Sequence, residues 1–414
     1  MASQPAAPVV LDPSGADHHG EHEELRGRGP AVRVDVLGVP AWSINDPDLL
    51  KTLLTSPDVS KDARAHWPDF QEVIRTWPLA LWVAVDNMFT AYGSDHRRLR
   101  RMIAPAFAAR RIADLTGVVE TVVTAILDDL DTLPAGEIID LREHLAHPLP
   151  IAVIGHLMGV PADRRAGFRT VVDGVFDTTL NSDEQAANTA RLYAALDELI
   201  TAMRAEPGDD MTSLLIAARD DDGDGRGLSD VELRDTLLLM ISAGYETTVN
   251  VIDQAISLLL ANPEQLGHIR AGRAGWSDVV EETLRLEPAV KHLPMRFAVN
   301  DITLPGGQTI ARGEAILASY AAANRHPGWH DDADTFDIRR PTQGHLAFGH
   351  GIHFCLGAPL ARLEVATGLR MLFDRFPQLE LAVPAARLKP LGSLISNGHQ
   401  QLPVWLRPTA VTTN

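Results

Sequence analysis

Cys355 is the single cysteine of the chain, placed in Phe348-Gly349-His350-Gly351-Ile352-His353-Phe354-Cys355-Leu356-Gly357 ahead of an apolar helical stretch. Glycine gives such a loop access to positive φ and to close backbone approach. The free N–H groups and positive end of the following helix point back toward the sulfur, which favours a thiolate over a thiol. His350 and His353 add cations, and Phe348 and Phe354 offer apolar faces of the size that encloses a flat cofactor. The setting suits an iron held by thiolate. It also suits a small buried thiol that packs as a hydrophobe.

Three further groups of residues have types and spacings that carry chemistry. Ala243-Gly244-Tyr245-Glu246-Thr247-Thr248 brings small residues, an acid and hydroxyls together inside a helical pattern. Mid-helix glycine costs roughly 1 kcal/mol against alanine, so Gly244 serves either close helix packing or a ligand that needs the space. Glu282-Thr283-Leu284-Arg285 sets a carboxylate and a guanidinium three apart on a helix, near enough to pair. His96 and Arg100 stand four apart within Asp95-His96-Arg97-Arg98-Leu99-Arg100-Arg101 and share a face, while Arg296 and His353 come from separate segments. Each of these cations alone reads as a solvated charge.

Phe348, Gly351, His353, Cys355 and Gly357 fill every position of Phe-x-x-Gly-x-His-x-Cys-x-Gly, which resembles the haem-binding signature of the cytochrome P-450 family. The resemblance runs from about Val32 to Pro403. It implies a mainly α fold: a single triangular domain over 31–414 with a long central helix and small β-sheets, behind a flexible leader, 1–30. It implies haem b ligated by Cys355 and enclosed by Ala243, Gly244, Phe348, Gly349 and Gly357, with His96, Arg100, Arg296 and His353 on its two carboxylates. Ala243 to Thr247 would form an oxygen-binding groove in which Thr247 donates a hydrogen bond to dioxygen and Glu246 relays protons. Glu282, Arg285 and Arg340, or Arg339 in its place, would support the cysteine loop without touching substrate.

The same resemblance implies substrate walls at Trp82, Phe89, Met240, Val290, His292, Leu293 and Ile395, and a bulky apolar small molecule as substrate. Trp67, Trp77, Trp82 and Phe89 crowd one loop of a chain that is only 5% aromatic. The implied reaction inserts one atom of O2 into a C–H or C=C bond, in the tailoring of a secondary metabolite. Radical coupling or ring closure without oxygen insertion is the alternative on the same haem. A thiol hydrolase built on Cys355 with His350 or His353, and a haem sensor without turnover, are the readings from other classes. The chain has no Gly-x-Gly-x-x-Gly fingerprint and no four cysteines for an iron–sulfur cluster. Electrons, ultimately from NAD(P)H, are therefore expected from a separate ferredoxin and reductase, the ferredoxin docking at Arg97, Arg98 and Arg101.

Several elements must position these residues. Val32 to Val36 alternates as a strand, Gly38 turns it into Pro40 to Ser43, and a short helix is expected over Asp48 to Leu54. Helical periodicity dominates from about Asp95 to Leu260. Ser229-Asp230-Val231-Glu232 is a capping box, and no proline interrupts the pattern before Pro263, so a helix of about 48 Å is predicted over Asp230 to Ala261. Strands return at Phe297 to Leu304 and Thr309 to Tyr320 as a second small sheet, and a last long helix covers Leu356 to Phe373. Asp220 to Gly225 begins like a calcium loop, but Val231 stands where a bidentate Glu is required.

With 37 basic against 55 acidic residues, a net charge of −18 excludes a phosphate-binding surface as the main business of the chain, and nucleic acid as its partner. The start of the chain lacks a basic segment followed by an apolar one, and no run approaches the roughly 20 apolar residues of a membrane span. A cytoplasmic monomer is expected. His18, His19 and His22 lie among Glu21, Glu23 and Glu24 in the first segment, a set able to chelate a metal but expected to be a solvated, poorly ordered terminus.

Overall fold

The computed structural model describes residues 7–220, 223, 225–341 and 344–408. Asp221, Asp222 and Asp224 of the calcium-like run lie outside these residues, while Asp220 forms an ion pair with Arg101 at 2.7 Å. The helices that frame the site are His18–Arg28 (α1), Gly93–Ile103 (α2), Thr116–Asp131 (α3), Pro148–Met158 (α4), Asp230–Ala261 (α5), Trp276–Leu286 (α6) and Ala358–Arg375 (α7). No described helix is long and apolar enough to cross a membrane.

The central helix α5 spans the predicted residues because both of its start signals operate. Ser229 Oγ accepts the Glu232 N–H at 3.2 Å and Glu232 returns the bond to the Ser229 N–H at 2.8 Å. Leu237, Ile241, Val249, Ile252, Ala255, Ile256 and Leu259 along it are fully buried. A helix buried around most of its circumference lies in the core of a larger bundle: α4, α6 and α7 pack on α5, and α3 lies across α4 and α7.

Strands Val9–Val10 (β1), Ala31–Val36 (β2), Val39–Ile44 (β3), Val59–Ser60 (β4), His292–Ala298 (β5) and Ala315–Ser319 (β6) form one six-stranded sheet in the order β1-β2-β3-β6-β5-β4. The expected hairpin is β2–β3, with Val34 opposite Ala41. The late strands form a second sheet only in part: Ile302–Thr303 and Thr309–Ile310 pair as a two-stranded ribbon across the expected turn, while β5 and β6 join the six-stranded sheet. Ala41 of β3 pairs in parallel with Ala315 of β6, and Trp42 Nε1 donates to Glu314 at 2.7 Å. Local alternation marks a strand but carries no trace of a partner more than 270 residues away. A bulge between Leu293 and Arg296 interrupts the β5–β6 pairing, and such bulges re-aim side chains.

Residues 7–30 are not a solvated leader. Val9 and Val10 add a strand beside Val34 and Asp35, and α1 buries His22 and Leu25 against the fold. The expectation rested on the segment's place at the end of the chain; what it missed is that α1 is capped, with Asp17 accepting the Gly20 N–H at 3.1 Å, and that its buried face meets His292 and Asn45.

Candidate active site

The cysteine loop is folded by its own backbone. The Cys355 N–H donates to Phe348 O at 3.0 Å, closing a turn in which Gly349 and Gly351 have φ of +73° and +72°. A Cβ on Gly351 would stand 2.8 Å from Leu54 O, so this position needs glycine for both its conformation and its neighbour. The Gly357 and Ala358 N–H groups at the start of α7 bond to the Cys355 sulfur. By surface area Cys355 is exposed, yet it lies deep in the protein, because the surface it presents belongs to an internal cavity. Burial pushes its thiol up, outweighing the two N–H groups that pull it down. The thiolate expected from the helix terminus is therefore not favoured by the chain alone; a metal ion at the sulfur would deprotonate it outright.

The cavity has a volume of about 230 Å³. Cys355, Phe348, Gly349, His353 and Gly357 line it from the cysteine loop, Met240, Ala243, Gly244 and Thr247 from α5, Arg100 from α2, and Phe89, Val290 and Leu293 from other segments. It adjoins an apolar lobe of about 140 Å³ that adds Trp82, Phe176 and Leu238. Gly244 serves both readings offered for it: it opens the cavity, and a Cβ there would meet Ile154 of α4 at 3.0 Å. Thr247 Oγ1 donates to Ala243 O, one turn back, at 2.6 Å. Glu246 does not line the cavity. It is buried against Arg142 (3.5 Å) and accepts from Asn250 Nδ2 (3.1 Å). Burial raises its carboxyl to about 7, with Arg142 opposing.

On one side of this space, basic side chains from separate segments converge without carboxylate partners among the described residues. The His96 and His353 rings lie 4.2 Å apart, and Arg100 Nη2 donates to Phe354 O at 2.7 Å. Arg296 is buried with Nη1 unpartnered, as are both ring nitrogens of His96. Burial, then Arg100 and Arg97, lowers His96 to about 4, and burial, then His96, Lys61, Arg296 and Arg100, drives His353 far below its usual range. Lys61, absent from the sequence reading, joins them. It is buried over the Phe89 ring, its ammonium 3.4 Å from the centroid and 3.4 Å from Pro294 O. Charging these groups while they are buried is expensive without a counter-ion, so an anion is what would let the cluster carry its charge. A flat group carrying two carboxylates and a thiol-seeking iron satisfies the orphaned donors, the glycine-lined loop and Cys355 together.

Glu282, Arg285 and Arg340 meet below the loop. Arg285 donates twice to Glu282, at 2.7 and 2.8 Å, and Arg340 Nε adds a third bond at 3.3 Å. Arg339 instead faces Asp337 at the surface. Of the proposed substrate walls, Ile395 is buried away from both cavity lobes. His292 is a correction: its neighbour Leu293 lines the cavity, but the His292 ring faces Ser319, Glu21 and His22. Alternation along β5 sends adjacent side chains to opposite faces. Trp67 and Trp77 are core residues, Trp67 stacked on Phe297 and Trp77 donating to Val36 O at 3.0 Å. Of the basic trio on α2, Arg97 is exposed, while Arg98 binds Glu232 and Arg101 binds Asp220. Glu364 is a further residue the sequence reading missed: its buried carboxyl lines the cavity with Oε2 unpartnered. Its place one helical turn from Leu360 and two from Gly357 was the signal available.

A larger space of about 530 Å³ is walled in part by charged groups that already pair, Arg64 with Asp86 and Arg98 with Glu232. It has no thiol and no buried unpaired donor cluster.

The family model described as "Cytochrome P450" matches residues 171–271 and 277–389. The chain is 41% identical over 407 residues to the 2-hydroxy-5-methyl-1-naphthoate 7-hydroxylase of Streptomyces carzinostaticus, covering 97% of this chain and 98% of the relative. It is 38% identical over 412 residues to the cytochrome P450 monooxygenase PikC of Streptomyces venezuelae, covering 97% and 96%. Among solved structures it is similar to CYP154A1 from Streptomyces coelicolor A3(2), with a TM-score of 0.93 and 71% identity over 96% of this chain and all of that one.

Proposed function

Because this chain belongs to the cytochrome P450 family, we propose that it is a haem-thiolate monooxygenase that inserts one atom of O2 into a bulky apolar small molecule, in the tailoring of a secondary metabolite. One observation carries the reading: the only thiol of the chain opens into a cavity whose rim gathers basic side chains without carboxylate partners among the described residues. Cys355 would ligate the iron of haem b, and His96, Arg100, Arg296 and His353, joined by Lys61, would hold its carboxylates. When bound, haem supplies a redox-active iron whose thiolate ligand favours O–O cleavage.

The protein's own residues account for position and protons. Ala243 and Gly244 leave room where larger side chains would fill the cavity. The Thr247 hydroxyl is held by Ala243 O, and one χ1 rotation turns it toward the cavity as a donor. Glu246 holds a proton near neutral pH. From it, Arg142, Asn250 and Asp253 form a continuous polar chain to the partly exposed His399, whose ring Nδ1 lies 3.1 Å from Asp253 Oδ1. Trp82, Phe89, Phe176, Val290 and Leu293 exclude water and favour an apolar ring system, in keeping with the naphthoate named for one relative.

Electrons would come from NAD(P)H through a cytoplasmic ferredoxin and its reductase. The exposed Arg97, with Ile352 and Phe354 exposed on the cysteine loop, offers the docking face. Arg98 and Arg101 contribute less, being engaged by Glu232 and Asp220. Purified protein should show the red-shifted Soret band of the reduced carbon monoxide complex, and Cys355→Ser should abolish it; a retained band overturns the ligand assignment. With a substrate found by spectral-shift screening, turnover under ¹⁸O2 should give singly labelled product. A major unlabelled product overturns insertion in favour of coupling or ring closure.

A further inference from the structure

Where α1 meets β5, the hydrogen bonds of a buried side-chain chain can be followed donor by donor to an unmet demand. Asn45 Nδ2 donates to the carbonyls of Leu25 and Gly29, both at 3.3 Å, which leaves Asn45 Oδ1 to accept from the Ser43 hydroxyl at 2.8 Å. Ser43 has one proton and has committed it, so at 2.6 Å it must accept from Ser319. Ser319, its proton committed in turn, must accept from His292 Nδ1 at 2.8 Å. A neutral His292 therefore carries its lone pair at Nε2.

That lone pair faces a second acceptor. Glu21 Oε1 lies 3.3 Å from His292 Nε2, and His22 Nε2 lies 3.3 Å from the same atom. Glu21 is fixed from behind, since its Oε2 accepts the Asp12 N–H at 2.9 Å. His22 and His292 are each 1% exposed, and His22 Nδ1 has no partner. A carboxylate oxygen and an imidazole lone pair at this separation repel inside a protein unless a proton or a metal ion lies between them. Four ligands at about 2.05 Å around a tetrahedral zinc ion stand about 3.3 Å apart, and two imidazoles with one carboxylate are a recurrent zinc donor set. His292 also has the outer bond typical of metal-bound histidines, its other ring nitrogen tied to a hydrogen-bond acceptor.

We propose that Glu21, His22 and His292 form a binding site for a divalent transition-metal ion of the zinc class, which fastens the N-terminal helix α1 to the strand that walls the cavity. The ligand atoms lie within 4.8 Å of one another. Water would fill the fourth position, because His18 Nε2, on the same helix face, is turned toward Glu287 at 3.7 Å. The neighbouring group of His18, His19 and Glu287 is a poorer candidate, because Arg325 and Asn397 already engage Glu287. Lys291, buried nearby, also acts on Glu21 and Glu287, and its positive charge weakens the site relative to an all-anionic one. The metal acts on the active site through β5: Leu293, beside His292, and Val290 line both cavity lobes.

The test uses untagged holoenzyme, stripped with chelator and titrated with Zn²⁺ by calorimetry, by metal analysis after gel filtration and by thermal melting. The expected result is one bound ion per chain and a midpoint raised by about 5 °C at saturating zinc, with imidazole and carboxylate ligands at the zinc absorption edge. Glu21→Gln, at a partly exposed position that leaves the cavity intact, should weaken binding at least about tenfold and remove the thermal shift while keeping the haem spectrum. His22→Ala should do the same; if it does not fold, Glu21→Gln carries the test. Failure of the wild type to bind zinc overturns the proposal. So does a thermal shift that survives Glu21→Gln.

Discussion

Glu246 is a carboxyl that the fold keeps near its point of titration. Burial raises it to about 7 while Arg142 opposes the rise, so it is mostly protonated at pH 6 and mostly ionised at pH 8. A group that hands on a proton works in its protonated form. Turnover limited by proton delivery should therefore fall as pH rises through about 7, and Glu246→Gln should lower the rate about a hundredfold and abolish the inflection. Steady-state product formation between pH 6 and 8.5 reads both effects; an unchanged profile in the variant removes Glu246 from the relay. The acid's identity was legible in Ala243 to Thr248, but its environment was not. Arg142, Asn250 and Asp253 come from a separate segment and from later turns of α5, and no spacing in the sequence joins Arg142 to Glu246.

At the scale of elements, α6 and the segment holding Arg340 are joined by a buried ion cluster. Glu282 is shared by Arg285 and Arg340 and also accepts the Asp337 N–H at 3.0 Å. Removing a shared carboxylate leaves two guanidinium groups without their counter-ion, at a cost of about 3–5 kcal/mol. Glu282→Ala should lose that much in denaturant unfolding of the holoenzyme and release haem at lower denaturant. Arg339→Ala, whose partner Asp337 lies at the surface, should change stability by less than about 0.5 kcal/mol. Equal effects of the two variants contradict the assignment of Arg340. The sequence left the choice between Arg339 and Arg340 open because adjacent residues differ in direction, and direction is set by the turn around Asp337.

Over the whole molecule a net charge of −18 surrounds a local basic face, and association follows the local field near the contact. Arg97→Glu should raise the KM for a ferredoxin about tenfold at low ionic strength, the difference shrinking above about 0.3 M salt as the screening length falls. Equal KM values at low salt place the docking face elsewhere. By itself, the sequence determined whatever local chemistry controls: the capped central helix, the β2–β3 hairpin, the glycine-bounded cysteine loop and the Glu282–Arg285 pair, since each depends on residues a few positions apart. Only the tertiary structure decided what depends on distant segments. It joined β3 to β6, gathered Lys61 with His96, Arg296 and His353, and raised the Cys355 thiol by burial where a helix terminus alone would lower it. It also turned His292 from the cavity toward α1, making a charged N-terminal segment part of the fold, because alternation fixes that neighbouring side chains face apart and only packing fixes which face is the core.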